Sequence, residues 1–585
     1  MLKIKLKNNC VSADSTQPLR DYLISLGISE TNVDSIMYGP RPGDELSPWL
    51  LDNMDKAVAL LNEGFINNKK FFIIVDCDVD GFTSASIFYR YFKLRYKDAQ
   101  MTWMLHEGKE HGIELDKVPS DCDYVIVPDA GSMNLEQQQV LLDAGKTVVI
   151  LDHHEVSATL THDRLALVNN QSSDLFFNKA LSGSGVTFKM TQAYDMQYPD
   201  MWVKSSYFYD LAALGIIADM MDMRSTDNNA IVWKGLRAIN NEMFKALINQ
   251  QAFKLQDGVN KMGVAFYIAP IINGVIRAGT MDEKSLLFKG FIEEPDSEFV
   301  ETTYRGSSRK ETFYAYAART AYNVKNRQDT EKKKCFAALC ERIEKEGLNN
   351  NQVIAVVASK TDKVPVPQNI TGLIAMELLK KYNKPILVLR PKTEDGKLSY
   401  AGSGRCKQFE GLNSFLQFVR DSEYSEYGEG HAMAFGASIP ADKFDAFIAE
   451  SNERLKDIDF SVDFIEVDAI FDNKYANIQM LKEFANGTDV YGNAIPEPRI
   501  AMQAIVDSDK IIFQGADKTT VKIMIGNIPC LKFKDKELAD KLSKGQRFAI
   551  TLVGKPRINV YNDRETIQLF IDDIDVSVLP VKSLF

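Results

Sequence analysis

Three apolar, strand-like runs between residues 71 and 154 end in acid or imidazole: FFIIV then DCDVDG, DYVIV then PDAG, and TVVIL then DHHE. The pattern places Asp76, Asp78, Asp80, Asp129, Asp152, His153 and His154 at the carboxyl ends of neighbouring strands. In an open α/β sheet that edge is where ligands bind. So many acids cannot converge unless something cationic neutralises them, because unpaired buried charge is very costly. A pair of divalent metal ions meets that requirement, and hydrolysis of a phosphoester is the chemistry such a pair serves.

The D-x-D-x-D-G spacing of DCDVDG also opens an EF-hand loop. That loop needs a bidentate Glu at its twelfth position, which here is Ile87, and it follows a helix rather than a strand. Calcium is set aside on both counts. Of six histidines in the chain, two stand together beside Asp152. In isolation they would read as two surface imidazoles; the acids at equivalent strand ends argue otherwise. Mixed carboxylate and imidazole ligation without thiolates suits Mn2+ or Mg2+ better than structural zinc. Asp219, in GIIADMMDM, is a weaker candidate, since an Asp among apolar residues can cap a helix, and Asp222 can do the same. The GSG at 183–185 is uninformative as a nucleotide loop, and no Walker A sequence occurs.

A chain of 585 residues should hold several domains. Residues 1–65 form an N-terminal segment, and 66–305 alternate strands and helices, which implies right-handed crossovers and a parallel sheet. Residues 306–347, rich in Ala, Lys, Arg and Glu, predict a connecting helix. A second α/β unit spans 348–497 and ends in the turn-dense NGTDVYGNAIPEP. From 498 to 585, short alternating runs predict a small β-barrel. Seven cysteines without a CxxC pair fit a reducing, cytoplasmic setting. No apolar run approaches the roughly 20 residues that span a bilayer, so no membrane association is expected, and the first residues lack a secretory h-region. A net charge of −11 argues against a protein coated in nucleic acid but leaves room for a local basic groove.

DCDVDG, PDAG, LDHHE and GIIAD, in this order, resemble the four motifs of the DHH phosphoesterase superfamily. ALSGSGVTFKM, YIAPIINGVIRAG, AGSGR and YGEGHAMAFGASIP narrow the resemblance to the RecJ-like single-strand-specific exonucleases, from about residue 38 onward. The resemblance implies an α/β chain: a DHH domain with a parallel sheet, a DHHA1 α/β domain and a C-terminal OB-like β-barrel. It implies two divalent ions, Mn2+ or Mg2+. Asp80, Asp129, His153 and Asp219 would hold one and Asp76 and Asp78 the other, with Asp129 bridging. His154 would face the scissile phosphate as a catalytic residue beside Asp129, and Asp152 would orient the histidine pair. Ser403, Arg405 and His431 match phosphate-gripping positions of DHHA1 domains. Asn273 and Arg277 match a segment that contacts substrate phosphates.

Three departures mark a divergent branch. Cys77 stands where the family usually has tyrosine, Glu429 replaces a glycine before His431, and PIINGVIRAG loosens a tighter motif. The metal-ligand set is whole. The implied activity is 5′→3′ exonucleolytic release of nucleotides from single-stranded DNA, in recombination or repair. Lys555, Arg557, Tyr561 and Arg564, in one predicted hairpin, combine cations with an aromatic ring as single-strand binders do; the competing reading is a solvated hairpin with a buried tyrosine. A monomer is expected, with a helicase or single-strand-binding protein as the class of partner that could deliver substrate. Two alternatives stay open: a phosphodiesterase of short oligonucleotides, cyclic dinucleotides or a nucleoside bisphosphate, and a non-catalytic replication scaffold of the same fold.

Overall fold

The computed structural model describes residues 3–8, 10–108, 111–256, 258–304, 306–359, 361–394, 396–460, 464–472, 476–561 and 564–580. The apolar runs of the sequence become parallel strands: β1 (Lys70–Val75), β2 (Gln100–Leu105), β3 (Tyr124–Pro128), β4 (Thr147–Asp152) and β5 (Leu165–Asn169). Their order in the sheet is β2-β1-β3-β4-β5, and all pair in parallel. Connections leave β1 in opposite directions, so the crevice between the ends of β1 and β3 is a topological switch point. Strand period puts Phe72, Ile74, Val125, Val127, Val148, Ile150, Leu165 and Leu167 in one core on one face. Their neighbours Ile73, Ile126 and Val149, on the other face, are equally buried.

Three helices place the loops above this edge. Helix α1 (Val79–Arg95) follows β1, capped by Asp78, whose side chain accepts from the Gly81 amide at 2.9 Å. It is buried from Val79 to Phe92 on all sides, which is why small residues (Gly81, Thr83, Ser84, Ala85, Ser86) fill its first turns. It packs against α2 (Gly183–Gln197) and α3 (Tyr209–Ala218).

By contact the chain divides into residues 1–321 with 464–585, and residues 322–463. The expected connecting helix runs from Phe313 to Lys345, because Ser307–Thr312 is already committed as a strand against Phe299–Tyr304. In the second unit Ile354–Val357, Ile386–Glu394, Lys397–Arg405, Ala434–Pro440 and Tyr427–His431 form a five-stranded sheet in that order, antiparallel after its first pair.

The C-terminal sheet belongs to the first unit and starts earlier than residue 498. Ala469–Asp472 pairs in parallel with Ile500–Asp507, followed in the sheet by Arg547–Tyr561, Arg564–Val578, Ile528–Lys532, Thr520–Ile525 and Ile511–Gln514. The expected barrel is not closed: the outer strands, Ala469–Asp472 and Ile511–Gln514, do not pair with each other. Alternation in sequence reports strands, whereas closure depends on stagger between them. The N-terminal segment is likewise no separate piece, since Lys3–Leu6 pairs in parallel with Phe464–Val467 and the Tyr22 hydroxyl donates to the Pro496 carbonyl at 2.8 Å. Among the described residues no helix is long and apolar enough to cross a membrane.

Ile126, fully buried on the central strand β3, tests this arrangement. Ile126→Ala should cost about 2–5 kcal/mol in urea unfolding. A loss below about 1 kcal/mol would mean that the strand is not enclosed on both faces.

Candidate metal centre

Each strand end contributes as its position dictates. β1 delivers Asp76 and the first turn of α1 delivers Asp78 and Asp80; β3 delivers Asp129, β4 the Asp152-His153-His154 run, and the end of α3 Asp219. The structure brings these side chains into three overlapping groups, each with ligand atoms within 4.8 Å of one another: Asp76 with Asp78 and Asp129; Asp80 with His153 and Asp219; and Asp129 with Asp152, His153 and His154. His153 Nε2 lies 3.2 Å from Asp129 Oδ1 and 3.6 Å from Asp219 Oδ2.

Asp152 differs from the rest. Its Oδ1 accepts from the His153 amide (2.7 Å), the His154 amide (3.2 Å) and His154 Nδ1 (2.8 Å), and its Oδ2 from the Ser132 amide (3.0 Å). Both of its oxygens are engaged, and three of the four bonds come from the histidine pair. Burial acts to raise its pKa, but the bonds from His154 and Ser132 outweigh burial and hold it below the ordinary carboxylate range. The same bond from Asp152, working against burial, lifts His154 to about 9, so this half-exposed imidazole is a cation at neutral pH.

Asp76, Asp219 and Asp129 are pushed up. Burial, then the charge of Asp78, raises Asp76 to about 7. Burial, then Asp80 and Asp78, raises Asp219 to about 8. Asp129 is held well above the ordinary range by burial and by Asp80, Asp78 and Asp76. Its Oδ1 is buried without a hydrogen-bond partner. An orphaned carboxylate oxygen among raised acids and a neutral-leaning imidazole is the donor set that a divalent cation satisfies, and these residues fit one. The Cys77 thiol, raised to about 12 by burial and by Asp76 and Asp78, stays protonated and adds no thiolate.

Several supporting residues were not singled out from the sequence. Ser182 Oγ and the amides of Gly183 and Ser184 donate to the Asp80 carboxylate at 2.9, 2.6 and 3.1 Å. The GSG at 183–185 is therefore a helix N-terminus that receives a carboxylate. A Cβ at Gly183 would collide with Asp129 Oδ1, and one at Gly215 with Asp80 Oδ1, so both positions need glycine for close approach. His106, buried at the end of β2, bonds Glu114 through Nδ1 and sets Nε2 3.9 Å from Asp76 Oδ1. The strand-end rule applied to MTWML would have found it. The YGNAIPEP turn is also no mere boundary. Asn493 Nδ2 donates to the carbonyl of Met220, next to Asp219, and the Asn493 carbonyl accepts from the Met223 amide at 3.2 Å.

The remaining expected residues fall in three places. Asn273 and Arg277 share a face of α4 (Ala269–Ala278), and the Arg277 charge reaches Cys77 and Asp78. In the second unit Arg405 and His431 are both in register with Ala434, and Ser403 Oγ lies 2.9 Å from Thr371 Oγ1 at the start of the helix Thr371–Tyr382. A cation, a hydroxyl and a helix N-terminus there suit a phosphate. Glu429 receives the Tyr427 hydroxyl. In the C-terminal hairpin Lys555 and Arg557 share one carboxylate: both pair with Glu497, at 2.9 and 3.0 Å. Glu497 arrives from the YGNAIPEP turn, a contact no local pattern announces. Arg564 instead lines a groove of about 600 Å³ with Lys482 and Lys522. The side chain of Tyr561 lies outside the described residues.

With this geometry in hand, comparison with known proteins agrees. The DHH family, N-terminal domain, matches residues 70–216, the DHHA1 domain residues 332–457 and the RecJ OB domain residues 467–573. The chain is 32% identical over 533 residues, 90% of its own length and 91% of the relative's, to YorK of the SPbeta prophage in Bacillus subtilis (strain 168), a protein named as a candidate single-strand DNA-specific exonuclease. It is 26% identical over 599 residues to the single-stranded-DNA-specific exonuclease RecJ of the same organism, covering 98% of this chain and 70% of that one. RecJ of Thermus thermophilus, solved in complex with Mn2+, shares the fold with a TM-score of 0.69 at 18% identity, over 98% of this chain and 79% of that one. The chain belongs to the RecJ family of DHH proteins.

Two outcomes follow from the site. Asp76 and Asp219, at about 7 and about 8 when folded against 3.8 for an ordinary Asp carboxyl, hold extra protons in the folded state through that window. Stability of the metal-free protein should therefore fall as pH rises from about 4 to about 8. A divalent ion displaces those protons, so the rise in melting temperature on adding Mn2+ should be larger at about pH 8 than at about pH 6. A shift independent of pH would contradict the raised carboxyls. Second, Asn493→Ala should weaken Mn2+ binding by about tenfold, read by titration calorimetry, while urea unfolding of the metal-free protein changes little. Unaltered affinity would detach the turn from the site.

Proposed function

We propose that this chain is a two-metal exonuclease that digests single-stranded DNA from the 5′ end, releasing nucleotides, with a role in recombination and repair. The observation that carries the reading is the convergence of Asp76, Asp78, Asp80, Asp129, His153 and Asp219 at the switch point of a parallel sheet. Relatives named as single-strand-specific exonucleases, and RecJ structures in complex with Mn2+ and with Mg2+, support it.

Asp80, His153 and Asp219 would hold one ion and Asp76 and Asp78 the other, with the orphaned oxygen of Asp129 shared. Two divalent ions, when bound, supply an activated water and neutralise charge on the scissile phosphate. The chain's own residues do the rest. His154, kept cationic by Asp152, donates to the phosphate as negative charge develops on it. Arg277, on the face of α4 that electrostatically reaches Asp78, steadies the adjoining phosphate. Ser403, Arg405 and His431, in the second unit, supply a phosphate grip of their own. The protonated Cys77 thiol adds no competing anion.

The test uses one single strand labelled at its 5′ end and another at its 3′ end, each with Mn2+ or with EDTA. Expected are rapid release of the 5′ label as mononucleotide and a gradually shortening 3′-labelled ladder. Asp129→Ala should lower the rate by about a hundredfold or more. Cleavage of di- to pentanucleotides only would favour a small-substrate phosphodiesterase, and silence on all of them a scaffold.

A further inference from the structure

The helix that carries Asn273 and Arg277 begins in an unusual way. Residues Val264–Ile268 form a π-helical turn directly before α4. The wider turn accommodates an extra residue, and here two successive aromatic side chains face solvent: Phe266 is 62% exposed and Tyr267 38%. Their neighbours Val264, Ile268, Ile271, Ile272 and Val275 are all buried, so the helix has apolar positions to spare and still presents two rings. Nearby, Lys254 Nζ lies 5.2 Å from the centre of the Tyr267 ring, and Phe253, the residue before it in the chain, is 86% exposed. Exposed rings beside a cation on a globular surface mark a candidate interaction site.

The rings begin the helix whose far end carries Arg277, the residue whose charge reaches Asp78. From Phe266 the spacing of about four residues leads through Pro270 and Asn273 to Arg277, one stripe about 15 Å long along the helix. Every residue on it is at least partly exposed, although the Asn273 side-chain oxygen itself is buried, without a hydrogen-bond partner. The stripe therefore has rings and a lysine at one end and an arginine at the other, where its charge reaches Asp78. Cations suit phosphates, and flat exposed rings suit unstacked bases. A duplex hides its base faces, so such a surface also discriminates against it.

Resting on the exonuclease reading, we propose that Phe266 and Tyr267 form a base-stacking platform, flanked by Phe253 and Lys254, that holds the single strand a few nucleotides from the site of cleavage. The platform fixes the polymer; the metal centre needs only the terminal phosphodiester. Polymer and dinucleotide substrates should therefore respond differently to its loss.

The double variant Phe266→Ala/Tyr267→Ala, which removes only exposed rings, should raise KM for a long oligothymidylate by about tenfold or more, leaving kcat and dinucleotide hydrolysis unchanged. A Phe266→Trp reporter, titrated in EDTA, should be quenched by oligothymidylate and not by a duplex of equal length. Unchanged KM for the polymer in the double variant overturns the platform, as does a tryptophan signal that ignores the single strand or responds equally to the duplex. The titration needs no turnover. A chain that hydrolyses no DNA would sink the exonuclease reading by the labelled-strand assay, while the platform is still decided by fluorescence.

Discussion

Repulsion among the carboxylates of Asp76, Asp78, Asp80, Asp129 and Asp219 organises the first unit. Two unit charges 4.8 Å apart repel by about 3.5 kcal/mol at an effective dielectric of about 20. A few such pairs equal the whole stability of an ordinary domain, about 5–15 kcal/mol. The helix N-terminus that meets Asp80 and the cap made by Asp78 offset only about 0.3–2 kcal/mol each. Neutralisation must come from bound protons or from a divalent cation, and the raised carboxyls show the first while the orphaned oxygen of Asp129 prepares for the second. Asp129 adopts a left-handed backbone, φ 66°, to present that oxygen, a conformation Asp tolerates better than bulkier residues.

Holding such a cluster requires support from distant chain. The YGNAIPEP turn, more than 270 residues beyond Met220, bonds the loop behind Asp219 through Asn493. Buried Lys261 donates to the Val490 carbonyl at 3.0 Å, and Glu497 gathers Lys555 and Arg557 from the C-terminal hairpin. The root of the C-terminal sheet and the loop carrying a candidate ligand are thus tied through one short segment.

An acidic chain can serve an anionic substrate because its useful cations are local. Lys555 and Arg557 share the single carboxylate of Glu497, Arg564, Lys482 and Lys522 border one groove, and Arg405 stands by a helix N-terminus. Beside the candidate metal centre the bond to Asp152 raises the His154 imidazole, an effect of position and not of composition. Net charge reports none of this. Fields near a site are set by neighbours within a Debye length, and the sum over the surface is a poor guide to them.

The strand ends were legible because apolar runs with abrupt polar ends are a local pattern: FFIIV, YVIVP and TVVIL became β1, β3 and β4 with their acids where expected. The resemblance assigned Asp219, whose own surroundings read only as a helix cap. His106 was equally legible by the strand-end rule, since MTWML ends in it. Other features were beyond local reading. The GSG at 183–185 acquires its role only when α2 arrives opposite Asp80, and Glu497 pairs with two cations on a hairpin some sixty residues away. Alternation predicted the C-terminal strands but not that their sheet stays open, because closure depends on stagger across strands. By itself, then, the sequence determined the strands, their acidic ends and the kind of ion that could neutralise them, since periodicity and residue chemistry are encoded over a few neighbouring positions. Only the tertiary structure decided which carboxylates come together, which histidine is raised and which surface cations are paired, because burial and approach between residues far apart in the chain set pKa and pairing.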